Sequence, residues 1–172
     1  MRLLLDHMCG NLVPYCRCCG HDTVYAGDLA LEASPPDEDE AQPTHEREAE
    51  TALLERARSD ERTVVTRDRD LARRAEDSLL LECRDTDSQL EALRRAGVDL
   101  RPVSEPLHCG RCNGSLEAVP PDSETPAYAP ETDEFDLWVC LECGQHFWKG
   151  SHWDRMGRRL EWIRASVGTG DQ

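Results

Sequence analysis

Lysine is almost missing from this chain: Lys149 is the only one among 20 basic residues, against 35 aspartates and glutamates and a net charge of -15. Such acidity ordinarily argues against a nucleic-acid partner. Arginine in place of lysine on an acid-loaded surface is also what a protein working in molar salt carries, because salt screens its self-repulsion within a few ångströms. The chain therefore reads as halophilic, and its acidity as a background property that no longer excludes nucleic acid; a merely acidic mesophilic protein is the alternative. Long apolar runs are missing too. No stretch reaches the roughly 18 residues of a membrane span, and the N-terminus lacks a signal peptide's organisation. These absences lead us to expect a soluble, cytoplasmic protein with no membrane partner. Cysteine is plentiful, but nine is an odd number and the N-terminus does not read as a leader, so a reducing compartment is expected rather than a secreted disulfide framework.

The most specific feature present is a pair of Cys-x-x-Cys knuckles, Cys109/Cys112 and Cys140/Cys143, with 27 residues between them. Four thiolates at this spacing wrap one tetrahedral Zn2+, and they leave no open position for water, so the expected role is structural. Gly110 and Gly144 stand where the knuckle turns call for a permissive backbone. The metal would fold a segment too short to build its own core.

The first hundred residues alternate strand and helix patterns. Arg2 to Leu5 is an apolar strand ending at Asp6; Asn11 to Cys19 is helical, with Pro14 in its first turn and Gly20 at its stop; His21 to Ala26 is a second strand. Residues 32–47, with three prolines and the run Asp37 to Glu40, read as an acidic insertion loop. A helix over Thr44 to Arg58 leads to the β-branched strand Thr63 to Thr66, followed by another helix. A strand at Leu79 to Leu81, a helix from Thr86 to Ala96 stopped by Gly97, and an extended piece from Val98 to Val103 complete the series. This alternation predicts an α/β domain with a mainly parallel sheet, whose chemistry belongs at the carboxyl ends of its strands.

Asp6 and the segment Thr66-Arg67-Asp68-Arg69-Asp70 both sit where a strand hands over to the next element. Carboxylates gathered there repel one another unless a hard cation such as Mg2+ or Mn2+ sits among them, and that arrangement suits phosphodiester hydrolysis. The same residues also suit a plainer role, since Asp6, Thr66 and Asp68 are all good helix caps. Glu46 and Glu50 lie one turn apart on the preceding helix, and Glu50 is a plausible fourth ligand.

Taken in order, Leu5-Asp6-His7-Met8, Gly20-His21-Asp22-Thr23-Val24-Tyr25-Ala26-Gly27-Asp28, Thr66-Arg67-Asp68-Arg69-Asp70-Leu71, Arg111-Cys112-Asn113-Gly114 and Trp148-Lys149-Gly150-Ser151-His152-Trp153 resemble successive motifs of one family. It is the PIN-like ribonuclease family named after the carboxy-terminal domain of the mut-seven exonuclease, a PIN-like domain followed by a zinc ribbon. The resemblance implies a divalent-metal-dependent ribonuclease. It assigns Asp6 to the family's first-strand aspartate, Asp68 and Asp70 to those after the third strand, and Glu50 to a helix position that usually holds aspartate; Asp28 is a secondary candidate. The stretch Leu12 to Cys19 departs from the Arg- and Leu-rich pattern of the family's first helix.

Cys9, Cys16, Cys18 and Cys19 raise the question of a second metal site, although free cysteines on a helix are usually small buried hydrophobes, and Cys83 reads as core. Four of the six bases after residue 105 are Arg155, Arg158, Arg159 and Arg164, interleaved along with Lys149 among Phe147, Trp148, Trp153 and Trp162. Cations beside aromatic rings suit single-stranded RNA; docking of the tryptophans inside the protein is the alternative. Lys149, Arg155, Arg158 and Arg159 are the RNA-binding candidates. The expected organisation is a PIN-like nuclease domain over residues 1–104 and a zinc ribbon with a C-terminal helix over residues 105–172. The expected function is endonucleolytic cleavage of RNA with catalytic Mg2+ or Mn2+ at Asp6, Glu50, Asp68 and Asp70. The competing reading is a non-catalytic RNA- or ribosome-associated binding module. Related PIN-like domains often pair, which makes a homodimer a further expectation.

Overall fold

The computed structural model describes residues 1–30 and 43–167. It divides into two compact units, Met1–Val13 with Thr23–Val98, and Pro14–Asp22 with Asp99–Gln172. Among the described residues no helix is long and apolar enough to cross a membrane.

The first unit is built on a four-stranded sheet of β1 (Arg2–Leu5), β2 (Asp22–Tyr25), β3 (Thr63–Thr66) and β4 (Ser78–Leu80), in the order β2-β1-β3-β4. β3 runs parallel to both neighbours, with Leu5 opposite Val65 and Thr66 opposite Leu80. Leu3, Leu4 and Leu5 are fully buried and so are Val64 and Val65, as expected of parallel strands covered on both faces. Helix α1 (Val13–Cys18) precedes β2, and α2 (Ala26–Ala30), α3 (Pro43–Ser59), α4 (Arg69–Arg74) and α5 (Thr86–Arg95) follow in turn. Leu53 and Ala57 of α3, Leu71 of α4, Ala26 of α2, Leu4 and Val64 form one apolar cluster. Each leucine so enclosed contributes roughly 2 kcal/mol of transfer free energy. Gln89 of α5 is buried but satisfied: its amide donates to the Cys83 carbonyl and accepts from Asn11.

The sequence expectations hold for β1, β3, α3 and α5 and shift elsewhere. The chain does not enter a regular helix at Asn11. Asp6 accepts a hydrogen bond from Met8 N and starts a 3-10 turn over His7–Leu12, so the regular helix begins only at Val13. Positions 43–47 of the expected acidic loop are the first turns of α3; the rest of that loop, and the side chain of Glu46, lie outside the described residues. The extended piece from Val98 to Val103 joins no strand. Val98 N closes the end of α5 on Leu93 O, and Asp99 takes Arg101 N into a local turn.

The second unit contains an antiparallel three-stranded sheet of β5 (Leu116–Ala118), β6 (Leu137–Cys140) and β7 (His146–Trp148), with β6 in the middle, and helix α6 (Ser151–Val167). Met156, Leu160 and Ile163 are the buried positions of α6, spaced for one helical face. The segment before β2 is tied into this unit. Arg17 donates to Gly110 O, Val103 N donates to Cys18 O, and His21 Nε2 lies 2.7 Å from Asp99 O. Gly20 ends α1 at φ 76, where a Cβ would lie 2.7 Å from Val103 Cγ1, so glycine is required there both by conformation and by space.

Candidate functional site

At the carboxyl edge of the sheet, β1 and β3 deliver Asp6 and Thr66 side by side. Asp6 is buried, with a relative exposure of 4%, and both its oxygens are engaged: Oδ1 accepts from Met8 N at 2.7 Å, while Oδ2 accepts from the Thr66 hydroxyl and from Arg67 N at 3.4 Å. The Thr66 oxygen in turn accepts from Asp68 N at 2.9 Å. Asp68 caps α4 through Oδ1, which takes Asp70 N at 2.6 Å and Leu71 N at 3.1 Å. One hydroxyl thus joins the first-strand carboxylate to the backbone that carries the second. The capping role of Asp68 occupies one carboxylate oxygen; Oδ2 carries no hydrogen bond among the described residues.

Asp70 and Glu50 are arranged differently. Asp70 is exposed, one position into α4, and Glu50 on α3 is ion-paired with Arg74. The same Arg74 Nη1 lies 4.0 Å from Asp70 Oδ2, so one guanidinium balances both acids. Among the described residues, no three of these carboxylates bring oxygens within 4.8 Å of one another. In chemical kind the donor set suits a hard divalent cation. Asp6 and Asp68 are the two acids that the strand ends place together. Asp28 is half-buried in the first turn of α2.

The cysteine group is more sharply defined. The four sulfurs of Cys109, Cys112, Cys140 and Cys143 lie within 4.8 Å of one another, with 3.6 Å from Cys109 to Cys143 and 3.5 Å from Cys112 to Cys140. Four thiolates at about 2.3 Å from one tetrahedral zinc would be separated by roughly 3.8 Å, so the set fits that ion closely. The knuckles repeat one another bond for bond. Cys109 N donates to Gly114 O and Cys140 N to Gln145 O; Asn113 N returns to Cys109 O and Gly144 N to Cys140 O. Cys112 N points at Cys109 Sγ and Cys143 N at Cys140 Sγ. The left-handed position follows the second cysteine of each pair: Asn113 at φ 66 and Gly144 at φ 69. Gly110 is therefore not the permissive residue of its knuckle. It stands where a Cβ would come within 3.2 Å of Phe147. Enclosure pushes the Cys140 thiol up, which a bound cation would reverse.

No second metal group forms around Cys9, Cys16, Cys18 and Cys19 among the described residues. All four are buried, and desolvation raises Cys16 to about 12 and Cys18 to about 11, leaving inert thiols at neutral pH. Cys83 is half-buried rather than core.

The four RNA-binding candidates divide into two pairs. Lys149 is half-buried: its ammonium donates to Ser104 O and lies 5.6 Å from the ring centroids of both Trp138 and Trp153. Arg159 donates to the Tyr15 hydroxyl at 2.9 Å and sits over that ring. Arg155 and Arg158 are exposed, and Arg155 reaches His152, on its own helix. Sequence reasoning missed Thr66 and Arg74 as site residues. Thr66 had a legible signal, a hydroxyl ending the third strand two residues before an aspartate. The pairing of Arg74 with Glu50 had none, since it joins two helices across 24 positions.

No curated protein and no solved structure matches this chain. The family model described as the Mut7-C RNAse domain matches residues 1–160, a span that includes both the strand-end carboxylates and the four-cysteine cluster, and the chain belongs to that family.

Proposed function

We propose that the chain is an endonucleolytic ribonuclease that hydrolyses RNA phosphodiesters at the carboxyl edge of its parallel sheet, with Mg2+ or Mn2+ held by Asp6 and Asp68 and, around them, Asp70 and Glu50. The observation that carries this reading is the Thr66 hydroxyl, which links Asp6 to the backbone of Asp68. These acids stand at the ends of adjacent strands, where open α/β sheets place their chemistry. The divalent ion, when bound, supplies an attacking water of lowered pKa and neutralises charge on the phosphate.

The chain's own residues do the positioning. Thr66 and Met8 N hold the two oxygens of Asp6 in one rotamer, so the carboxylate is preorganised rather than mobile. Asp68 uses Oδ1 to fix the start of α4 and keeps Oδ2 for a ligand. Arg74 offsets the repulsion that Glu50 and Asp70 would otherwise add. Arg155 and Arg158 are the exposed cations available for RNA phosphates, since Lys149 and Arg159 are committed to aromatic rings. Zn2+ at the four cysteines has a structural part, with no position left open for chemistry.

The test is cleavage of labelled single-stranded and structured RNAs with Mn2+ in molar KCl, the salt chosen for the acid excess of the surface. Intact protein is compared with Asp6→Asn and Asp68→Asn. Metal-dependent cleavage that falls by about 100-fold or more in both variants, at unchanged zinc content, is the expected result. RNA bound but left whole by all three proteins would replace the enzyme with the binding module.

A further inference from the structure

The second unit encloses a cavity of about 360 Å³ that neither the zinc knuckles nor the strand-end acids explain. Its walls include Phe147, Trp148 and Trp153, all half-buried, so each ring keeps part of its surface open. Its polar groups include Arg17, Arg111 and Gln145. Arg17 is buried, and its guanidinium is anchored on Gly110 O at 2.9 Å, within the first knuckle. Arg111, in the same knuckle, is exposed and belongs to the rim.

Charge decides what this cavity is for. In a chain whose acids outnumber its bases by 35 to 20, none of the fourteen residues around the cavity is aspartate or glutamate. A cavity in the first unit is lined by both signs, with Glu55, Glu61, Glu76 and Asp77 among Arg58, Arg62 and Arg74. A concave site with aromatic plates, two guanidiniums and an amide, from which carboxylates are excluded, matches a planar heteroaromatic group carrying a negative charge. The volume lies at the small end of ligand pockets, roughly 300–1,000 Å³, and suits one unit of that kind rather than several.

We infer that this cavity takes one unstacked nucleobase of single-stranded RNA, stacked on the Phe147, Trp148 and Trp153 rings, with its phosphate at the exposed Arg111. The inference rests on the proposal that RNA is the substrate, but it assigns a separate site in the second unit. Stacking on aromatic side chains is tolerant of base identity, and the Gln145 amide can meet a base edge. Duplex RNA, whose bases stay paired, is excluded from such a pocket.

The experiment uses zinc-loaded, full-length Asp6→Asn protein without Mg2+ or Mn2+, so that binding is read apart from cleavage. The probe is a single-stranded oligoribonucleotide carrying one 2-aminopurine, whose fluorescence falls when the base stacks on a ring. Quenching at saturation is expected, together with affinity about 10-fold weaker and lost quenching in Gln145→Glu and Arg111→Gln. Zinc content and thermal midpoint are checked in both variants, which change one amide and one exposed side chain. Arg158→Glu is expected to weaken binding through the backbone while leaving the quench at saturation intact. Binding with no quench, or a quench that both pocket variants retain, overturns the inference. So does 5′-AMP displacing the probe as tightly as an unlabelled oligomer binds, which would make the cavity a site for free nucleotides. None of these outcomes bears on whether Asp6 and Asp68 support cleavage, and loss of cleavage in those variants leaves the pocket untouched.

Discussion

Replacing Thr66 by valine tests the coupling of the two strand-end acids directly. The side chain is fully buried, and valine keeps its shape while removing the oxygen. Two hydrogen bonds vanish: the one donated to the Asp6 carboxylate and the one accepted from Asp68 N. A hydrogen bond to a charged group is worth about 1.5–3 kcal/mol and a neutral one about 1 kcal/mol, so the expected loss is about 2.5–4 kcal/mol. For a chain of this size that corresponds to a fall in Tm of roughly 5–15 °C. The loss includes the cost of leaving Asp6, which is nearly inaccessible to water, without its strongest donor. Urea unfolding in molar KCl measures the loss, with an unchanged slope expected alongside the lower midpoint. Thr66→Ser restores the hydroxyl and gives up only a methyl group, so it should recover most of the difference. If valine and threonine proteins unfold within about 0.5 kcal/mol of each other, the hydroxyl link does not hold the edge together and the preorganisation argument fails.

Three further outcomes follow from the second unit. Removing zinc with a chelator, or substituting Cys140→Ser, should unfold the three-stranded sheet while leaving the parallel sheet formed. Far-ultraviolet circular dichroism combined with tryptophan fluorescence separates the two, since all four tryptophans lie between residues 138 and 162. Because thiols must lose protons to bind the metal, zinc affinity should weaken as pH falls, read by competition with a zinc indicator. Burial holds the His21 imidazole below the ordinary histidine range, with Nε2 on the Asp99 carbonyl. The unfolded chain therefore takes up a proton below about pH 6.5 where the folded chain resists it, so stability is full above that pH and declines as acid is added. At saturating zinc, His21→Gln should flatten that decline; an unchanged slope would assign it to other groups.

What could be read from the residues alone follows from how local the determinants are. β1 and β3 are short apolar runs that announce themselves, and Asp68 declares a helix cap by standing just after a strand. The knuckles were legible from cysteine spacing, and so was Gly144 at the left-handed position of the second; in the first, asparagine also tolerates that conformation, so Gly110 drew attention that Asn113 deserved. The contacts of Lys149 with Ser104 and Trp138 were not legible, because sequence shows neighbours along the chain and hides those across it. Glu50 matched the family position by alignment of motifs, yet its ion pair depends on where α4 carries Arg74.

The assignment of Pro14–Asp22 to the second unit also constrains how the molecule is made. The chain passes from one unit to the other, returns, and passes again, so neither unit is a continuous stretch of sequence. During synthesis the first unit can assemble its strands once Leu80 has emerged, while the nine-residue segment Pro14–Asp22 waits for partners, Asp99, Val103 and Gly110, that are translated later. A chain cut after residue 104 would keep β1 to β4 and leave Arg17 without its carbonyl anchor. The two units are thus interleaved along the sequence, and gene fusions or deletions that treat residues 105–172 as a detachable tail should leave the Pro14–Asp22 segment without its partners.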